Sequence, residues 1–160
     1  MPNELSVSAQ KVQAALAAAG VDCQVVELPD STRSAQEAAQ AIGCQVEQIV
    51  KSLVFRTRQT RRAVLVLASG PNRVNEKRIG QLLGEPIERA DADFVREATG
   101  FAIGGVPPLG HDRELPTLLD ESLRRFETVW CAAGTPHAVF EIATEALLAA
   151  LPGASVADVS

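Results

Sequence analysis

Residues 100–111 read GFAIGGVPPLGH and crowd glycine and proline into the run Gly104-Gly105-Val106-Pro107-Pro108-Leu109-Gly110. Glycine lets a ligand approach the main chain and lets amides converge, whereas proline fixes φ and removes a donor. The combination describes a stiff loop that offers selected N–H groups. The bland alternative is an ordinary turn. The chain has three lysines, Lys11, Lys51 and Lys77, and Lys51 falls inside the apolar run IVKSLVFR at 49–56. Period-two alternation puts it on one face with Ile49, Leu53 and Phe55, so its ammonium either snorkels to water or meets an anion. Because both flanks of this run read as covered, and an isolated buried charge is costly, the anion-facing role is preferred.

Other chemistries find less support. His111 and His137 each follow a turn, with no HxxxH spacing and no neighbouring cysteine pair, so no metal site is expected. Cys23, Cys44 and Cys131 are odd in number and widely spaced, which reads as buried thiols rather than a disulfide framework. There is no GxSxG elbow, P-loop or GxGxxG fingerprint, so hydride and phosphoryl transfer are unsupported and no cofactor is expected. Positive charge is densest in FRTRQTRR, where Arg56, Arg58, Arg61 and Arg62 lie together, within a chain of formal net charge -5. That balance argues against indiscriminate nucleic-acid binding but leaves room for a local basic patch; the plain reading is a solvated hairpin tip.

The elements that must carry these residues follow from periodicity. A helix is expected over 6–19, ending at Gly20, and a short strand over 23–28, closed by Pro29-Asp30. Ser34 to Glu37 forms a capping box for a helix ending at Gly43. Strands at 49–56 and 63–69 flank the arginine-rich turn, and helices follow over 74–84 and, capped by Asp91, to Ala98. Strands at 127–133 and 137–142 are linked by Gly134-Thr135-Pro136, and a helix spans 144–151. Interleaved strands and helices with several hairpin-short connections define a mixed α/β class. The length of 160 residues suits a single domain, 1–160. No apolar run approaches the ~20 residues of a membrane span and the N-terminus lacks signal-peptide order, so a cytoplasmic protein with no membrane partner is expected.

Four blocks order these pieces: AAQAIGCQVEQIVKSLVF (38–55), ASGPNRVNEKRIGQLLG (68–84), GGVPPLGH with a GxxxP pattern from Gly104 to Pro108, and AAGTPHAVFEI (132–142). In their sequence and spacing the chain resembles the YbaK/ProX family of aminoacyl-tRNA editing proteins, relatives of the editing domain inserted into bacterial prolyl-tRNA synthetases. The resemblance implies a curved, partly barrel-like mixed sheet surrounded by helices. It also implies hydrolysis of the ester joining a wrong amino acid to the terminal ribose of a tRNA. On this reading Lys51 holds the acceptor end, and Gly104, Gly105 and Pro108 supply main-chain contacts to the ester, while Ser52, Val106, Pro107 and His137 line the pocket. Arg56, Arg58, Arg61, Arg62, Arg73 and Lys77 would then meet the tRNA backbone, and a prolyl-tRNA synthetase is an implied partner; no DNA partner is expected. Ser52 stands where alanine-removing members carry asparagine, and Gly105-Val106-Pro107 stands where cysteine-removing members carry Gly-Cys-Ser. The amino acid removed therefore stays open, since a pocket discriminates a methylene by only about 1–3 kcal/mol. The competing reading is a binding module of the same fold that holds a small amino acid, a nucleotide or a tRNA end without turnover.

Overall fold

The structure, a computed structural model, describes residues 5–28 and 34–160, so the turn expected at Pro29-Asp30 lies outside the described residues. Helix α1 (Val7–Ala18) begins where Ser6 Oγ accepts the Ala9 N–H at 3.2 Å and buries Ala9, Val12 and Leu16, one stripe at helical spacing. The strand expected over 23–28 shrinks to β1 (Val26–Glu27). The reason is local: the Gln13 side chain donates to Cys23 O and accepts the Val25 N–H, both at 2.8 Å, which satisfies that backbone without a strand partner. Helix α2 (Ala35–Ile42) is capped by Ser34, α3 (Glu76–Leu83) by Asn75 and α4 (Ala92–Thr99) by Asp91, and they end at Gly43, Gly84 and Gly100 respectively.

The long hairpin appears as expected, β2 (Ile49–Thr57) against β3 (Ala63–Ser69), paired from Val50↔Ser69 to Arg56↔Ala63. Strands β4 (Ile87–Arg89), β5 (Thr117–Asp120) and β8 (Ser155–Ala157) join it, with β6 (Thr128–Ala132), β7 (Ala138–Ala143) and helix α5 (Thr144–Ala150) as foreseen. The mixed sheet runs β1-β7-β6-β2-β3-β5-β8, with β4 on β2 outside that path.

Both faces are covered. Val50, Val54, Leu65, Leu67, Leu119 and Cys131 pack under α1, α4 and α5, together with Phe101, Val106 and Leu109 from the glycine-proline segment. The opposite face carries Phe55, Val64, Val66 and Ala68 against Ile79 of α3 and Val159. Leu65 and Leu67 are wholly buried, each worth about 1.5–3 kcal/mol relative to exposure. This two-sided burial fixes β2, and with it the position of Lys51.

Candidate functional site

The site begins with a gap in the sheet. One edge of β2 is paired with β3 along its length, whereas the other meets β6 only at Ile49↔Trp130 and Val50↔Cys131, and β4 only from Phe55↔Arg89 to Thr57↔Ile87. Between them, Lys51 to Val54 have no strand partner on that edge among the described residues. The alternation of an antiparallel ladder says what the gap displays. Leu65 donates its N–H to Pro116 O and Ser69 its N–H to Asp120 Oδ2, both away from β2, so Val54 and Val50 opposite them are non-hydrogen-bonded pairs. Val50, Ser52 and Val54 consequently turn their own N–H and C=O groups outward, those of Ser52 and Val54 into the gap.

The glycine-proline loop stands beside this edge. Gly134, two residues beyond β6, donates its N–H to Gly105 O at 2.8 Å, and Ala133 shares the core cluster of Val50, Val54 and Val106. At Gly105 a Cβ would lie 2.8 Å from both Cα and N of Thr135, so only glycine lets the loop sit this close to the β6–β7 turn. Gly104, with φ +90, is exposed and open around its Cα. Residues 105–109 are buried. A residue that sequence reasoning left as structural braces the loop from behind: His111 Nε2 bonds Pro107 O at 2.7 Å, and its ring meets Phe101 edge-on at 6.3 Å. Burial pushes the His111 imidazole below its ordinary value, partly offset by that bond, so the neutral ring donates to the carbonyl. The signal was the histidine ending GGVPPLGH, but a lone histidine after a turn does not reveal which atom it holds.

Lys51 projects on the face of Ile49, Leu53 and Phe55, as alternation requires, and away from the face that carries Ser52 and Val106. Its Nζ donates to Asn72 O at 2.7 Å, a main-chain carbonyl with charge close behind it. Asp120, 1% exposed, accepts from the Ser69 N–H (3.0 Å), Asn72 Nδ2 (2.8 Å) and the Ser122 N–H (3.0 Å), thereby fixing the turn that presents Asn72 O. Desolvation lowers the Lys51 ammonium from the ordinary lysine range, while Asp120 opposes the shift and Arg73 adds to it. An ammonium has three N–H donors, so the bond to Asn72 leaves two for a ligand. Ser52 Oγ is buried and hydrogen-bonds nothing among the described residues.

The basic residues do not form one patch. Arg56 binds Glu88 through Nε and Nη2 and lies over the Phe94 ring at 5.4 Å, and Arg58 reaches the same carboxylate at 3.6 Å. Arg56 is thus engaged by the protein's own Glu88 and Phe94. Arg61 and Arg62 are exposed at the hairpin tip; Arg73 lies near Lys51, and Lys77 is exposed on α3. His137 is exposed on the β6–β7 turn, where its N–H donates to Thr135 Oγ1 at 3.2 Å. Among the described residues no group of three His, Cys, Asp or Glu side chains could hold a metal ion, and no helix is long and apolar enough to cross a membrane.

An eight-stranded mixed α/β domain with a glycine-proline loop set against a broken strand edge defines the class. Residues 29–150 match the aminoacyl-tRNA editing domain, and the chain belongs to that family. It is 33% identical over 123 residues to the uncharacterized protein YwhH of Bacillus subtilis, covering 77% of this chain and 78% of that one. It is 27% identical over 121 residues to EbsC of Enterococcus faecalis, which is proposed as a Cys-tRNA(Pro)/Cys-tRNA(Cys) deacylase, covering 75% and 73% of the two chains. The proline–tRNA ligase of Bacillus licheniformis matches at 33% identity over 111 residues, 66% of this chain but only 19% of the ligase. Among solved structures, that of a proposed trans-editing enzyme for prolyl tRNA synthetase superposes with a TM-score of 0.91 at 51% identity, covering 98% of this chain and 99% of that one. Another, of the hypothetical protein APE2540, superposes at 0.85 with 31% identity, covering 93% and 98%.

Proposed function

We propose that the protein is a trans-acting aminoacyl-tRNA deacylase that hydrolyses the ester of mischarged tRNA, with proline tRNA carrying a small wrong amino acid such as alanine or cysteine as its substrate. The observation that carries this reading is the unpaired β2 edge from Lys51 to Val54 beside the braced Gly104–Pro108 loop, in a chain of the editing family. Water adds to the ester carbonyl, and the oxygen that becomes negative in the tetrahedral intermediate is stabilised by main-chain N–H groups lining the gap. The intermediate collapses with loss of the ribose oxygen, which takes up a proton, to give free amino acid and uncharged tRNA. Lys51 holds the terminal phosphate or ribose with its two remaining donors. No side chain of the site stands out as general base, which leaves activation of the water to the substrate's own amine or hydroxyl groups.

The test is release of labelled amino acid from proline tRNA charged separately with alanine, cysteine, serine and proline. Selective release of one wrong amino acid, lost in Lys51→Ala at unchanged circular dichroism, supports the enzyme and names its substrate. Retention of all four esters, with tRNA bound nonetheless, would favour a binding module of the same fold. Unaltered turnover by Lys51→Ala would remove the lysine from the site.

A further inference from the structure

A groove of about 650 Å³ lies away from the β2 edge, between the tip of the β2–β3 hairpin, α4 and the segment leading into β5. Its lining includes Arg61, Arg62 and Arg113, with Phe94, Glu97 and Glu114. None of the three arginines forms an ion pair among the described residues, in contrast to Arg56 and Arg58. A second groove of about 590 Å³, lined by Arg58 and Lys77, also holds Glu76 and Glu85, and Arg58 is already engaged by Glu88. Free guanidiniums therefore concentrate in the first.

Two features fit this groove to a ligand that must be held while the neighbouring loop works. The first is rigidity of the tip. Thr57 O accepts the Arg61 N–H at 3.0 Å and Thr57 Oγ1 the Arg62 N–H at 2.8 Å, while the Glu85 carboxylate accepts from the Gln59 and Thr60 N–H groups and from Thr60 Oγ1. These bonds hold Arg61 at φ 56, the one positive φ outside glycine among the described residues, so the two arginines leave a fixed platform and lose little main-chain entropy on binding. The second is continuity. The α4 wall runs through Gly100 into the glycine-proline loop, and Arg113 follows two residues after His111, whose ring holds that loop at Pro107 O. The groove walls are thus the two ends of the excursion that carries the loop. Along β2, the six residue steps from Lys51 to Thr57 span about 20 Å, which sets the groove well beyond the reach of a single terminal nucleotide at Lys51.

We propose that this groove takes the sugar-phosphate backbone of the substrate's RNA stem, with Arg61, Arg62 and Arg113 as phosphate ligands. The inference rests on the deacylase reading for its substrate. Guanidiniums suit paired phosphate oxygens, and the carboxylates of Glu97 and Glu114 offset enough charge that the groove does not retain every polyanion. Arg113 is the new member; the arginine cluster in the sequence did not include it.

The experiment compares wild type with Arg62→Glu, Arg113→Glu and the double variant on two fronts. Binding of uncharged tRNA is followed by fluorescence anisotropy across a salt series. Hydrolysis is followed with mischarged tRNA and with a short single-stranded 3′-terminal fragment carrying the same ester. The groove predicts weaker tRNA binding, a salt slope reduced by about one for each arginine removed, and a KM increase larger for whole tRNA than for the fragment. An unchanged slope and affinity in the double variant would overturn it, as would equal losses on tRNA and fragment. If wild type hydrolyses neither substrate, the deacylase reading fails, and the anisotropy series still decides whether the groove binds an RNA stem.

Discussion

At the scale of single residues, the site is governed by which polar atoms are satisfied and which are left over. Ser52 Oγ is buried without a hydrogen bond among the described residues, next in sequence to a lysine whose ammonium is held by Asn72 O. A buried hydroxyl that makes no bond in the folded chain contributes desolvation cost and little else. Ser52→Ala is therefore expected to leave stability within about 1 kcal/mol of wild type in urea unfolding, or to raise it, while changing the relative rates on small amino-acid esters that differ by a hydroxyl or thiol. A loss well beyond that, with specificity intact, would mean that the hydroxyl serves the fold. Lys51 was legible because charge inside an apolar strand is anomalous wherever it occurs. Its partner was not, since the Asn72 carbonyl is brought there by a turn held at Asp120, far along the chain. Arg56 shows the converse: a run of arginines looks uniform in sequence, but Glu88 and Phe94 withdraw one of them.

At the scale of elements, the glycine-proline loop is set by contacts to the β6–β7 turn, and its two leading glycines serve different needs. Gly105 has no room for a side chain against Thr135, whereas Gly104 has open space and only a positive φ. Gly105→Ala should push the loop from the turn, break the bond from Gly134 and cost about 1–3 kcal/mol, with a fall in kcat. Gly104→Ala meets only the strain of its φ, near 1 kcal/mol, and should fold with the loop in place. Thermal unfolding of the two variants beside their deacylation rates separates the cases, and equal losses would deny the packing role. Of the elements, the helices and the long hairpin could be read from caps, periodicity and apolar runs. The strands β4, β5 and β8 could not, because three or four residues carry too little alternation to register, and the broken edge of β2 exists only through where β4 and β6 stop pairing.

At the scale of the molecule, an acidic chain has to receive a polyanion, and the basic residues without an ion pair among the described residues include Arg73 near Lys51 and Arg61, Arg62 and Arg113 by the hairpin tip. Asp120 unites the framework beneath Lys51. It sits at the end of β5, accepts from the end of β3, from the turn after it and from the 3-10 segment Glu121–Arg125 that leads toward β6, and so couples the middle of the sheet to the carbonyl that orients Lys51. Removing this carboxylate leaves three N–H donors without their acceptor, at about 1–3 kcal/mol for each that water cannot reach. Asp120→Ala is expected to lower the urea midpoint by the equivalent of about 3–5 kcal/mol, with an unchanged m-value if the whole domain still unfolds as one unit. Asp120→Asn, which keeps one oxygen acceptor, should retain the fold at a smaller loss and expose the effect on Lys51 as a reduced deacylation rate. A midpoint shift below about 1 kcal/mol for Asp120→Ala would show that water replaces the carboxylate and that the turn at Asn72 holds its shape alone.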